Sequence, residues 1–279
     1  ARHDAQALLD ANLQGLFFLS LINRKMAGMT KHLMILTGGS RGMGLAMGQQ
    51  LLAQGQHVLS IARKTSAELA ASASKPEQLL QWEQDLSQSA AAAQRLAAWL
   101  GSFKSSDWAS ITLINNAGVI PQIAPLSQVP AADMINAMRV GLEAPMVLTG
   151  AFLGATEGWS IPRKVLNISS GLGRRAMASQ ASYCTAKAGM DQFSSCVALE
   201  EAAKPSGARI VSLAPGVIDT DMQVQLRSAT TGDFPDVERF AGLHANGQLT
   251  SAGDAAARVL AWLERPDFGD QVVADVRQA

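Results

Sequence analysis

The sequence has little cysteine, little tyrosine and no surplus of charge of either sign. Among its 279 residues there are two cysteines, Cys184 and Cys196, and one tyrosine, Tyr183. Two cysteines exclude a disulfide framework and leave no zinc-binding spacing, so we expect free thiols, as in a cytoplasmic protein. The 23 basic residues equal the 23 acidic ones, which argues against nucleic-acid binding and against attraction to anionic membranes.

Long apolar runs and metal-binding clusters are also missing. Residues 13–22 are apolar but too short to span a bilayer, and Asp4 and Asp10 lie where a signal peptide carries positive charge. No cluster of histidine or carboxylate residues suggests a metal. We therefore expect residues 1–28 to be an extension or a cloning remnant, and residues 29–279 to form a single domain.

What the sequence does contain is a repeated alternation of strand and helix patterns. Apolar runs predict strands at 33–39, 57–63, 111–118, 164–170, 208–216 and 270–276. Helical spacing of apolar residues predicts helices at 44–55, 89–100, 131–153 and 182–203, and residues 64–78 are predicted to form a surface connection. This alternation predicts an α/β fold, a single doubly wound parallel sheet with helices on both faces, as in the Rossmann fold.

A glycine-rich loop lies between the first predicted strand and the first predicted helix. It reads Thr-Gly-Gly-Ser-Arg-Gly-Met-Gly over residues 37–44. Gly38 allows a sharp turn, Gly42 lets the backbone approach a pyrophosphate, and Gly44 lets the helix pack closely. In this position between strand and helix, the loop predicts the phosphate site of a dinucleotide.

The charges near this loop favour a phosphorylated dinucleotide. The carboxylate that binds the ribose 2′-OH in many NAD sites is absent after the second strand, where Arg63 stands instead. Arg41 and Arg63 can clamp a 2′-phosphate, or both can be ordinary solvated arginines. Asp85, followed by Leu86 after a possible third strand, is placed either to reach an adenine amine or to lie in a surface turn.

Tyr183 and Lys187 are four residues apart in a predicted helix and therefore share one face. A nearby ammonium favours phenolate and lowers the pKa of a tyrosine from about 10, which makes Tyr183 a candidate proton donor to a carbonyl oxygen. Ser169 ends the preceding strand, and its hydroxyl can hydrogen-bond the same oxygen. The alternative is an exposed pair of tyrosine and lysine.

Taken in order, these motifs resemble the short-chain dehydrogenase/reductase family. The glycine loop is followed by Asn-Asn-Ala-Gly at 115–118, by Ser169, by Tyr-Cys-Thr-Ala-Lys at 183–187 and by Pro-Gly-Val-Ile-Asp-Thr at 215–220. The resemblance runs from about Thr30 to the end of the chain. It implies a dinucleotide-dependent oxidoreductase that forms a homodimer or homotetramer through the helices at 131–153 and 182–203.

The resemblance also implies a role for each matched residue. Tyr183 would be the acid and base, Lys187 would lower its pKa and hold the nicotinamide ribose, and Ser169 would orient the substrate carbonyl. The residues expected to bind the cofactor are Gly38, Ser40, Arg41, Gly42, Met43, Gly44, Arg63, Asp85, Leu86, Asn116, Ala117, Gly118, Tyr183, Lys187, Pro215, Gly216, Ile218 and Thr220.

Two features depart from the usual pattern of the family. Gly141 occupies the position of the catalytic asparagine that normally kinks its helix and holds a water, and the glycine pair common after the last strand is absent. The ending resembles the branch that contains sepiapterin and benzil reductases. Residues 10–20 resemble the asparagine helix itself, either by chance or as a fragment of another family member. We expect this segment to pack as a helix outside the domain, without supplying Asn12 to the site.

The variable segment 222–249 is expected to cover a small-molecule substrate. The segment contains Met222, Leu226, Phe234, Phe240, Leu243, Arg227, Arg239 and His244. Ile120, Pro121 and Ile123 are expected to form another wall of the substrate pocket. Apolar side chains suit an aromatic or hydrophobic ketone or diketone, or they serve ordinary packing. The resemblance implies an NADPH-dependent carbonyl reductase. The alternatives are an NAD-dependent alcohol dehydrogenase and a regulator that senses NADP without turnover.

Overall fold

A seven-stranded parallel sheet forms the centre of the computed structural model, which describes residues 31–278. The strand order is β3-β2-β1-β4-β5-β6-β7, and every neighbouring pair is parallel. The predictions made for residues 1–28 lie outside the described residues. The strands are β1 (His32–Thr37), β2 (His57–Ala62), β3 (Leu79–Glu83), β4 (Ser110–Asn115), β5 (Arg163–Ile168), β6 (Arg209–Ala214) and β7 (Val273–Asp275).

Helices connect the strands and cover both faces of the sheet. They are α1 (Gly42–Ala53), α2 (Ala67–Ala71), α3 (Ser89–Leu100), α4 (Ala131–Met138), α5 (Ala144–Ala155), α6 (Ala181–Ala202), α7 (Asp221–Arg227), α8 (Val237–Ala245) and α9 (Ala252–Leu263). The predicted helix over 131–153 is interrupted, because a π-helical turn, Arg139–Glu143, joins α4 to α5. None of these helices in the described part of the chain is both long and apolar enough to cross a membrane.

The two faces of the sheet carry separate apolar cores. In β1, Leu33 and Ile35 face the core formed with α3, α5 and α6, whereas Met34 and Leu36 face the core formed with α1 and α9. A central strand buried on both faces needs apolar residues at every position, which explains its uninterrupted run. The predicted α/β fold with a doubly wound parallel sheet is confirmed.

The segment 64–78 is a largely exposed connection, as predicted, but it also has a short helix and a buried anchor. It contains α2, and Leu69 in this helix is fully buried. The Ser66 hydroxyl caps the helix by accepting a hydrogen bond of 3.1 Å from the Leu69 N–H. The short helix therefore covers α1 at Gly48, where an added Cβ would lie 2.8 Å from Leu69.

The strand order places a cleft at the carboxyl edge of the sheet. β1 lies between β2 and β4, so the connections that leave β1 and β4 run to opposite faces and separate. Such a switch point in an open parallel sheet is where ligands bind. The loops that follow β1, β4, β5 and β6 all converge there.

Candidate active site

The loop after β1 has the geometry of a phosphate cradle. Gly38 and Gly42 have positive φ values of 72° and 54°, a conformation that other residues rarely adopt. A Cβ at Gly44 would lie 2.1 Å from the carbonyl oxygen of Gly38 and 2.5 Å from Nδ2 of Asn116. The start of α1 can therefore approach the loop only as glycine, and its free N–H groups point to the cleft where an anion binds.

The loop after β4 is tied to the end of β1 by hydrogen bonds. The Thr37 hydroxyl accepts from the N–H groups of Asn116 and Ala117 at 2.9 and 3.0 Å. The Asn116 side chain donates to the Thr37 carbonyl at 3.0 Å. These contacts hold the two loops as one floor beneath the cleft.

One cleft of 920 Å³ brings together every residue predicted to bind the cofactor, and Ser169 as well. Its volume suits a dinucleotide with part of a substrate. Several lining residues were not predicted from the sequence. They are Ile61, Ala62, Lys64, Gln84, Val119, Asn136, Val140, Ile168, Ser170, Asp219, Asp221 and Gln223.

The charged residues at one end of the cleft are exposed. Arg41 donates to Asp221 across the cleft at 3.1 Å, and Arg63 and Lys64 are exposed on its wall. Asp85 accepts a hydrogen bond of 2.9 Å from the Ser87 N–H and also lines the cleft. Both interpretations of Asp85, as a turn residue and as a cleft residue, therefore describe its position.

The predicted role of Ser169 does not agree with where the structure places its side chain. The Ser169 side chain is buried, and its hydroxyl donates to Asp191 at 2.6 Å. It is the hydroxyl of Ser170 that lies beside the Tyr183 hydroxyl and acts to lower its pKa. Successive residues of an extended chain point in opposite directions, so only one of the two serines can face Tyr183. The geometry therefore favours Ser170.

Burial shifts the pKa values of both titratable groups in the motif. It raises the pKa of Tyr183, an effect that the Ser170 hydroxyl opposes. It lowers the pKa of Lys187 to about 8, an effect that the Asp191 carboxylate opposes. Lys187 donates to the Ile168 carbonyl at 2.7 Å, and its Nζ lies 5.8 Å from the centre of the Tyr183 ring. The net shift of Tyr183 is thus opposite to the lowering that we expected from the lysine.

Gly141 lies at the centre of the π-helical turn, against the helix that carries Tyr183. A Cβ at Gly141 would lie 3.2 Å from the Cβ of Ala186 in α6, which is a tight contact. The helix therefore deviates from α geometry here without an asparagine side chain. Instead, the Lys187 amine is held by a strand carbonyl, as described above.

The segment that was expected to cover the substrate has a small core of its own. Leu226, Phe234 and Phe240 are buried together with Met177 and Val237, so these side chains mainly pack against one another. Met222 lines the main cleft. Ile120, Pro121 and Ile123 line a second cavity of 470 Å³ with Gln225, Ser228 and Ala229.

Of the charged residues in this segment, Arg239 and His244 are exposed and Arg227 is half-buried. Arg227 pairs with Asp219 at 3.3 Å and Arg239 with Asp236 at 3.8 Å, whereas His244 is exposed. Within residues 31–278, no group of three or more histidine, cysteine, aspartate or glutamate residues is placed to hold a metal ion.

Comparison with known proteins identifies the family. A family model described as short chain dehydrogenase matches residues 32–231. The chain belongs to the short-chain dehydrogenase/reductase family. It is an NAD(P)-dependent oxidoreductase, and the resemblance inferred from the order of its motifs is confirmed.

The relatives of this short-chain dehydrogenase/reductase include carbonyl reductases. It is 36% identical to the benzil reductase ((S)-benzoin forming) of Bacillus cereus over 235 residues, which cover 84% of this chain and 94% of that protein. It is 33% identical to the sepiapterin reductase of Meriones unguiculatus, with 84% and 92% covered. A solved short-chain dehydrogenase/reductase from Burkholderia vietnamiensis is 31% identical, has a TM-score of 0.60, and matches over 89% of this chain and 99% of that one.

The cleft fits the cofactor class of the family. The cradle at Gly38, Gly42 and Gly44 suits a pyrophosphate, and the site of Tyr183 and Lys187 lies in the same cleft. Gln223 adds a polar group that sequence reasoning missed: it is buried, lines the cleft, and its Oε1 has no hydrogen-bond partner among the described residues. Ser170 was not predicted, because nothing in the sequence distinguishes it from the adjacent Ser169.

Substitution of Gly44 tests the cradle. We expect Gly44→Ala to weaken NADPH binding at least about tenfold and to destabilise the fold by about 2 kcal/mol, because the added methyl meets backbone that cannot move away. Isothermal titration calorimetry and urea unfolding would measure both effects. Gly154→Ala, in α5 with no atom within 4 Å of the added Cβ, is the control: it should leave NADPH binding unchanged and should not destabilise the fold. Equal effects of the two variants would contradict the assignment.

Proposed function

We propose that this protein is an NADPH-dependent carbonyl reductase that acts on an aromatic or hydrophobic ketone or diketone in the cytoplasm. The observation that carries the proposal is the convergence of the Tyr183 and Ser170 hydroxyls and Lys187 in one cleft with a dinucleotide cradle. The similarity to proteins named benzil reductase supports a bulky apolar carbonyl compound. The free thiols of Cys184 and Cys196 support a reducing compartment.

The geometry suggests how each residue would act in the reduction. Ser170 and Tyr183 would both donate to the substrate oxygen and so fix the carbonyl. A dihydronicotinamide cofactor supplies the hydride to the carbonyl carbon when it is bound. As the oxygen gains negative charge, Tyr183 would transfer its proton to it. The raised pKa of Tyr183 means that the phenol carries this proton at neutral pH.

Lys187 would complete the proton transfer. Its ammonium would stabilise the phenolate left on Tyr183, since opposite charges favour each other in a buried site. Lys187 would also hold the nicotinamide ribose, as the family resemblance implies. Because Gly141 offers no side chain, the proton would return to Tyr183 through Lys187 and water, without an asparagine-held water.

The alternatives rest on weaker observations. An NAD-dependent alcohol dehydrogenase would need a carboxylate for the ribose 2′-OH, yet Arg63 and Lys64 stand at the end of β2. A sensor without turnover would have no use for a buried lysine beside a tyrosine and a serine. We also propose that two copies associate through α4, α5 and α6, where Ile135, Met146 and Leu199 are exposed.

Replacement of Tyr183 tests the reductase proposal directly. We expect Tyr183→Phe to lower kcat about 1000-fold or more for reduction of benzil and related diketones, because the variant has no proton to donate. NADPH oxidation, followed by absorbance, would measure the rate. NADPH affinity should stay within about threefold, since the ring remains in place. Tight NADPH binding by a wild-type protein that reduces no carbonyl compound would favour the sensor.

The two serines allow a matched comparison. We expect Ser170→Ala to lower kcat about 100-fold, because a hydrogen bond to the developing oxyanion is lost. Ser169→Ala should lower kcat less than about tenfold, since its hydroxyl is bonded to Asp191 and not to Tyr183. Steady-state kinetics with a saturating diketone would separate the two. The reverse order of effects would restore the sequence-based assignment to Ser169.

The basic residues test the choice of cofactor. We expect Arg63→Ser to weaken NADPH binding about tenfold and to leave NADH binding within about twofold, because only NADPH carries the 2′-phosphate. Titration of the protein with each nucleotide would measure the two affinities. Arg265→Ser, which removes an arginine that pairs with Asp267 outside the cleft, is the control. If Arg63→Ser weakened the binding of NADPH and NADH equally, the proposed contact between Arg63 and the 2′-phosphate would be ruled out.

A further inference from the structure

A buried carboxylate lies one helical turn beyond Lys187. Asp191 is 7% exposed, and its Oδ1 accepts two hydrogen bonds of 2.6 Å. One comes from Ser169 at the end of β5, and the other comes from Ser212 in the neighbouring strand β6. The carboxylate therefore joins α6 to two adjacent strands just beneath the reacting groups.

The second oxygen of this carboxylate indicates that hydrogen bonding alone does not account for a charged residue at this position. Oδ2 of Asp191 is buried and has no hydrogen-bond partner among the described residues. Arg174 lies nearby, with its Nε at 3.8 Å. An asparagine would accept from both serines through its amide oxygen, without the large cost of burying a charge. A charge at this position therefore implies electrostatic partners, and Arg174 is one of them.

Lys187 is a second cation beside this carboxylate, one helical turn before it in α6. It is 4% exposed, and its Nζ donates to a single described acceptor, the Ile168 carbonyl. A lysine buried among neutral groups loses its proton readily. The opposite charge of Asp191 acts against that loss.

We propose that Asp191 is a positioning residue for the reduction proposed above, on which this inference rests. Its hydrogen bond to Ser169 fixes the end of β5, which carries Ser170 into the site. Its negative charge keeps Lys187 in the ammonium form that stabilises the phenolate of Tyr183.

Other charged or titratable groups lie on the elements that pack against α6, or on α6 itself. They are Arg174 in the turn after β5, Asp275 and Arg277 at the end of β7, Arg139 and Glu143 in the π-helical turn, and Tyr183 and Cys184 on α6 itself. Asp275 is held by Arg277 at 2.6 Å, and Glu143 accepts a hydrogen bond from Ser89. Neither of these carboxylates replaces Asp191 as the partner of Lys187.

The variant Asp191→Asn removes the charge and keeps an acceptor oxygen. We expect the side-chain NMR signals of Lys187, assigned with Lys187→Met, to titrate near pH 8 in the wild type. In Asp191→Asn, the midpoint should fall by about one pH unit, because a charge one helical turn away is lost. Ser212→Ala removes one hydrogen bond and keeps the charge, so its midpoint should stay within about 0.3 units.

Turnover provides the second readout. The alkaline limb of kcat/KM for diketone reduction should move to lower pH in Asp191→Asn by the same amount, because the ammonium of Lys187 is lost earlier as the pH rises. A purely structural role would lower the rate at every pH and leave the limb in place.

Each outcome decides the proposal. An unchanged Lys187 midpoint in Asp191→Asn with a native circular dichroism spectrum would overturn it. If that variant does not fold, Asp191→Ser, which also removes the charge, decides by the same measurement: the midpoint should again fall by about one unit, and no change would overturn the proposal. If the midpoint shifts as expected while the wild type reduces no carbonyl compound, the proposed function fails and the electrostatic role of Asp191 stands.

Discussion

Buried hydrogen bonds between side chains hold α6 against the sheet, and the positions of the reacting groups depend on them. Asn167 in β5 accepts from Asn115 in β4 and donates to Ser194 in α6, each at 2.8 Å. Leaving such a group unpaired costs about 1–3 kcal/mol. Apolar faces alone would permit the helix to slide, whereas these bonds are satisfied in one register. Tyr183 and Lys187 are therefore placed against the end of β5 by groups that lie beneath them.

The fold and most of the cleft could be predicted because the relevant signals are local. A strand buried on both faces is continuously apolar, and the glycines of the first loop follow directly from their backbone geometry and close contacts. Parallel strands bring their carboxyl ends to one edge, so residues far apart in the chain, such as Gly38, Asn116 and Tyr183, can be assigned to one site without their contacts being known.

The remaining features depend on tertiary contacts that a sequence does not display. Whether Ser169 or Ser170 faces Tyr183 depends on where β5 ends, and a shift of one residue reverses the answer. Burial raises the pKa of Tyr183, and the helical spacing between Tyr183 and Lys187 does not reveal that burial. Phe234 and Phe240 have the same apolar character whether they face a ligand or each other, and the structure places them against each other.

The ion pair between Arg41 and Asp221 joins the two walls of the cleft. Its side chains are 67% and 77% exposed, so water and dissolved ions weaken it. Only Nη1 of Arg41 is used in this ion pair, so a phosphate can either share the guanidinium with the carboxylate or displace it. An incoming anion therefore meets negative charge at the entrance to the cleft, and the ionic strength of the surrounding solution acts on both interactions there.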